Sequence, residues 1–151
     1  MVAAVLISAT IIVCTTLLFV FDDRILADLA RRTGTVLDYD FIYAIFGVQL
    51  LVAVTATLGY FFIRHLRRIV DTVAQGDPFI PDNALRLRHM GWITVAMQLI
   101  AIPAGALSGW ISSTGKMRYV DVGVSLGGVL LALILFVLAR VFSQGAAMRD
   151  E

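Results

Sequence analysis

His65 and His89 are the side chains best suited to hold a transition metal or carry a proton, and they flank one charged segment that can fold back on itself. A metal site needs three or four converging ligands. No third histidine, no nearby cysteine and no paired carboxylates accompany the two imidazoles, so no metal is expected. Thr15, Thr16, Thr55, Thr57 and Ser125 carry hydroxyls, yet none has a base at a spacing that would activate it. Cys14 is the single cysteine and sits among apolar residues, where it behaves as a small hydrophobe without a disulfide partner. Nor does any glycine-rich loop end in Lys and Ser or Thr to cradle a phosphate. These residue types predict neither an enzyme nor a cofactor-binding protein.

Two amides remain, Gln49 and Gln98, and what they can do depends on the elements that hold them. The 151-residue chain is 60% hydrophobic and 15% charged, a balance rare in water-soluble domains. At about 1.5 Å of rise per helical residue, roughly 20 apolar residues cross a hydrocarbon core of roughly 30 Å. Residues 2–21, 41–63, 91–113 and 122–139 hold no Asp, Glu, Lys or Arg. They predict spans over about 2–21, 41–63, 91–113 and 122–140, in an all-α integral membrane four-helix bundle forming a single domain over 1–151. What lies between the runs is too short for a separate soluble domain. No positive side chain precedes Arg24, unlike the start of a cleaved signal peptide, so 2–21 reads as a retained span. Within such a bundle Gln49 and Gln98 fall near mid-bilayer, where hydrogen bonding between helices is one reading and a substrate or ion site the other.

Gly105 and Gly109, like Gly123 and Gly127, form GxxxG pairs, which allow helix backbones to approach closely and predict contact between spans three and four. A homodimer face is the second reading of the same motif. Pro103 lacks a backbone donor and crowds the carbonyl of Leu99, which predicts a kink in span three.

The connecting segments carry most of the charge. Asp22 and Asp23 precede Ile25, Leu26, Leu29 and Ala30 at helical spacing, and Arg31 and Arg32 follow, predicting an amphipathic helix over 23–33 flat on the outer surface. A lid over an outward-facing pocket is its functional alternative. In the second connection, 64–90, Leu66, Ile69, Val70 and Val73 prolong the apolar stripe of span two until Gly76, Asp77 and Pro78 force a turn. Pro81 suits the first position of a new helix, so this connection reads as a helical hairpin, with a further extension over 140–151. Seven Lys and Arg flank the hairpin and the extension against five on the other side, which places both termini in the cytoplasm. Scattered over several loops, these cations form no nucleic-acid footprint. The first partner expected of such a chain is the lipid bilayer.

Two stretches, "GDPFIPDNALRLRHMGW" over 76–92 and "LARVFSQGAAMRDE" over 138–151, resemble the YoaS-like family of small bacterial membrane proteins, whose function is unknown. The first matches a "PF…N…LR…G" pattern through Pro78, Phe79, Asn83, Leu87, Arg88 and Gly91. The second matches "ARVF..G..LR.E" through Ala139, Arg140, Val141, Phe142, Gly145, Arg149 and Glu151, with Met148 in place of Leu. The resemblance implies a four-span protein of the bacterial cytoplasmic membrane. It also implies a partner, because genes of this family often lie beside one for a small helix-turn-helix DNA-binding protein. The expected function is therefore regulatory or scaffolding, with such a regulator bound through Asp77, Pro78, Phe79, Asn83, Arg86, Arg88, Arg140, Phe142, Gly145 and Arg149. The alternatives are a ligand-binding or transport bundle centred on Gln49 and Gln98, and arginines that serve only to hold helix ends at anionic headgroups.

Overall fold

In hydrocarbon a backbone must satisfy its own polar groups, which leaves the helix as the default for a long uncharged run. The computed structural model of the protein describes residues 39–76, 78–113 and 123–149, and its regular structure is entirely helical. Helix α1 spans Tyr39–Ala74, α2 spans Pro81–Ser113 and α3 spans Leu126–Arg149. All three are long and apolar enough to cross a membrane. The first predicted span, 2–21, and the surface helix over 23–33 lie outside the described residues, which therefore show three helices and not four.

The 36 residues of α1 extend about 54 Å at 1.5 Å per residue, well beyond one crossing. Its excess is the segment after Ile63, where the arginines begin. Gly76 ends it in the left-handed region, with φ of 87°, a conformation that costs glycine nothing, and its N–H donates to the Val73 carbonyl at 3.0 Å. Helix α2 opens at Pro81 and runs without interruption through Pro103. Helix α3 begins later than the charge-free run over 122–139 suggests. Ser125 lies just outside it and caps it, its Oγ accepting from the Gly128 N–H at 3.0 Å, so the span starts helically at Leu126.

The described residues fall into two compact units. One joins the first half of α1 to the last part of α2; the other holds residues 57–101 and 123–149. In the first, Ala44 and Ile111 are buried with Val48 and Leu107 against them. Gly47 permits this approach, since a Cβ there would lie 3.1 Å from Leu107 Cδ1. In the second, Ile69 of α1, Leu87 and Met90 of α2, and Leu135 and Ala139 of α3 form a core, flanked by Phe62 and Phe142. Met90, 1% exposed, is its centre.

Much of the remaining apolar surface is open: Leu50, Leu99, Ile102, Leu126 and Val137 are all exposed. A continuous display of this kind is a liability in water and an ordinary lipid-facing surface in a bilayer. The helix hydroxyls behave accordingly. Thr55 donates to Leu51, Thr94 to Met90 and Ser112 to Ser108, each to a carbonyl four residues back in its own helix.

Candidate functional site

The polar centre of the second unit is the hairpin between α1 and α2. Asn83, in the first turn of α2, is fully buried. Its Nδ2 donates to Thr72 Oγ1 on α1 at 2.7 Å and to the Pro78 carbonyl in the turn at 3.0 Å. Its Oδ1 accepts from Arg86 Nη1 at 2.8 Å. The Thr72 hydroxyl passes its own proton to the Ile69 carbonyl at 2.7 Å, so the chain of donors is complete. One amide thus bolts the end of α1, the turn and the start of α2 together. Arg86 is held further by Asp82, Nη2 to Oδ2 at 3.3 Å, an i,i+4 pair whose partners differ in exposure. As a largely solvent-exposed contact on the Asp82 side, the ion pair contributes less than the Asn83 bonds.

A second fastening ties the turn to α3. The Phe79 ring packs on Phe142, centroids 5.2 Å apart at 43°. It also lies over Gly145, where an added Cβ would come within 2.8 Å of Phe79 Cδ1. A third lies about two turns beyond Asn83 along α2, where Gly91 faces Phe136 so closely that a Cβ would sit 2.9 Å from Cε1. Phe136 in turn meets Trp92 edge-on at 5.5 Å.

Most of the residues expected to bind a partner are therefore drawn into the structure of the hairpin itself. Pro78, Phe79, Asn83, Phe142 and Gly145 are engaged with one another or with α1, and Arg86 is engaged by Asn83 and Asp82. Arg88 and Arg140 differ: both are exposed, and among the described residues neither has an ion-pair or hydrogen-bond partner. They line one open groove of about 610 Å³ between α2 and α3, together with Ser143 and Gln144, which the sequence reading did not single out. Asp77 and the Arg149 side chain lie outside the described residues.

Gln98 proves to be a clamp on the start of α3. Its Nε2 donates to the Ser125 carbonyl at 2.8 Å and its Oε1 accepts from the Ser125 N–H at 3.3 Å. Gly128 is what allows the amide in, since a Cβ there would overlap it. Of the two readings for this residue, the contacts are those of helix packing. Gln49 lies half-buried in the first unit. Of the GxxxG glycines, Gly109, Gly123 and Gly127 are not close approaches: a Cβ built at any of them meets nothing within 4 Å, while Gly105 is half-buried. Those approaches fall on Gly47, Gly91, Gly128 and Gly145, because what crowds a glycine is the side chain facing it, which spacing along one helix does not reveal.

His65 and His89 do come together across the hairpin, ring centroids 5.7 Å apart. His65 Nδ1 is buried without a hydrogen-bond partner. Around the pair the positive charges of Arg64, Arg68 and Arg86 act on His65, a setting that repels a cation. No group of three or more His, Cys, Asp or Glu converges among the described residues.

A family model described as protein of unknown function (DUF2975) matches residues 1–151. No curated protein and no solved structure matches the chain.

Proposed function

From a chain that belongs over its whole length to this family of unknown function, DUF2975, we propose a non-enzymatic membrane scaffold that docks a cytoplasmic regulator on its hairpin platform. The observation that carries this reading is the Asn83 lock. A fully buried amide with three side-chain bonds is an expensive device, stable only where every polar group is satisfied, and here it fixes a turn that joins two long apolar helices. Loops fixed by a rigid scaffold commonly carry binding. In the proposed topology residues 2–21 supply a first of four spans, both termini face the cytoplasm, and the protein resides in the bacterial cytoplasmic membrane. The YoaS-like motifs supply the partner class, a small helix-turn-helix regulator.

The docking face we assign is the outer end of the platform, formed by the turn around Phe79 and the last two turns of α3, where Met148 is 74% exposed. An exposed, flexible, apolar side chain beside the Arg149 position suits an adaptable protein contact. The full chain in detergent will co-purify a small helix-turn-helix protein of the class that the family resemblance implies. Met148→Asp combined with Arg149→Ala will weaken that complex about tenfold or more, the loss expected when an interface centre is removed. Undiminished binding by this variant contradicts the assignment. A transport bundle centred on Gln98 draws no support, since its amide is engaged with Ser125.

A further inference from the structure

Arg88 and Arg140 stand at equivalent places on two packed helices. Arg88 is the last Lys or Arg before the charge-free run 91–113 of α2, and Arg140 is the first after the charge-free run that ends at Ala139 of α3. Both are exposed and both line the groove between these helices. Among the described residues no carboxylate answers either one, whereas Arg86, two residues from Arg88, has Asp82 and Asn83. Two like charges facing a shared groove repel each other unless an anion lies between them, and a guanidinium fork matches the oxygens of a phosphate.

The groove and the helix surface that continues it beyond Phe136 are also graded from one end to the other. Trp92, one turn deeper than Arg88, is 61% exposed and braced edge-on by Phe136 of α3. Leu133 continues the Phe136 and Arg140 face toward the apolar end and is exposed as well. Ser143 and Gln144 lie at the opposite, polar end with a hydroxyl and an amide. Aromatic and aliphatic surface, then two unanswered guanidinium groups, then a hydroxyl and an amide set among small residues such as Ala84, Ala146 and Ala147 follow the order met along a phospholipid from acyl chain through phosphate to headgroup. Trp at the hydrocarbon boundary and basic pockets between helices just outside it are the usual signs of such a level in a membrane.

We infer that the groove between α2 and α3 binds one anionic phospholipid, its phosphate held between Arg88 and Arg140 and its acyl chains lying along Trp92 and Leu133. A soluble acidic segment would satisfy the arginines and leave the apolar half of the groove bare. The lipid site borders the proposed docking face, since Ser143, Gln144, Ala146 and Ala147 of the last turns of α3 line the groove, but its recognition rests on Arg88 and Arg140, which the docking variant leaves unchanged. It gives the two arginines a ligand and a reason for the opening between two helices that pack closely at Gly91.

The test uses the full chain in detergent micelles with Trp110→Phe, so that Trp92 is the remaining tryptophan. It is titrated with brominated phosphatidylglycerol or with brominated phosphatidylcholine of the same acyl chains, and Trp92 fluorescence is followed. Phosphatidylglycerol should quench at about tenfold lower mole fraction, the selectivity expected of charge-assisted bonds to a phosphate that carries the net charge. Arg88→Gln with Arg140→Gln should bring the two lipids to one curve, and Arg88→Lys with Arg140→Lys should keep part of the preference. Coinciding curves for the unaltered arginines overturn the proposal, and that comparison requires no arginine variant to fold. So do an undiminished preference in the Gln variant, quenching by neither lipid, as when the chain's own first segment fills the groove, and loss of the preference in excess inorganic phosphate, which marks a site for free anions.

Discussion

Replacing Asn83 by Leu will destabilise the protein by about 3 kcal/mol, from the loss of three partly buried hydrogen bonds at about 1 kcal/mol each. The side chain is fully buried, while its partners Thr72, Pro78 and Arg86 are only partly so. The Pro78 carbonyl loses its donor and Arg86 loses the acceptor that aims it, while the Thr72 oxygen keeps only its own donation to Ile69. Leu matches the branched skeleton of Asn but exceeds it in volume, so part of the loss is overpacking, and Thr72→Val isolates the hydrogen bonding. Thr72→Val removes only one member of the chain and will cost about 1 kcal/mol. Reversible denaturant unfolding in micelles measures both. A value for Asn83→Leu within about 0.5 kcal/mol of wild type, the range of ordinary surface changes, contradicts the lock.

Gly91→Leu will cost of the order of 1 to 3 kcal/mol, the range for overpacking a core. In an exposed helix the same change would stabilise by about 1 kcal/mol through helix propensity, so the environment reverses the sign. What reverses it is a rigid ring: Phe136 Cε1, Cζ and Cδ1 all lie within 3.1 Å of the position a Cβ would take. The ring cannot swing freely because Trp92 braces it. Phe136→Ala should therefore relieve much of the damage, and the double variant will be more stable than the sum of the two single changes predicts, by about 1 kcal/mol or more. Strict additivity would show that Gly91 and Phe136 do not meet. The same measurement reports on the lipid groove, since Phe136 forms part of its wall.

What the sequence made legible was set by strong local physics. Charge-free runs long enough to cross hydrocarbon locate the bodies of α1 and α2, and Gly76, Pro78 and Pro81 place the break between them. The start of α3 was less legible. Gly123, Val124 and Ser125 look as apolar and small as the helix they precede, and only the Gln98 clamp and the Ser125 cap fix where it begins. The site shows the same division. Its motif residues were identifiable, but their division of labour was not. Asn83 reads as an exposed first-turn residue until Thr72, eleven positions earlier, is seen beside it. Arg86 and Arg88 look equivalent on paper, yet one is tied to Asn83 and the other opens onto the groove. Facing relations of this kind are tertiary, and neither periodicity nor a GxxxG count along a single helix contains them.

The proposed function requires the hairpin tip to stand clear of the bilayer on the cytoplasmic side, where a regulator can reach it. Gln75→Cys, made with Cys14→Ser so that the chain has one thiol, tests this by labelling with a membrane-impermeant maleimide. Sealed inside-out vesicles should label at once and right-side-out vesicles only after permeabilisation, while Leu131→Cys, in the apolar body of α3, should label in neither. Protection of the Gln75→Cys thiol from both faces, or labelling from the outside alone, would contradict the placement of the platform and with it the proposed function.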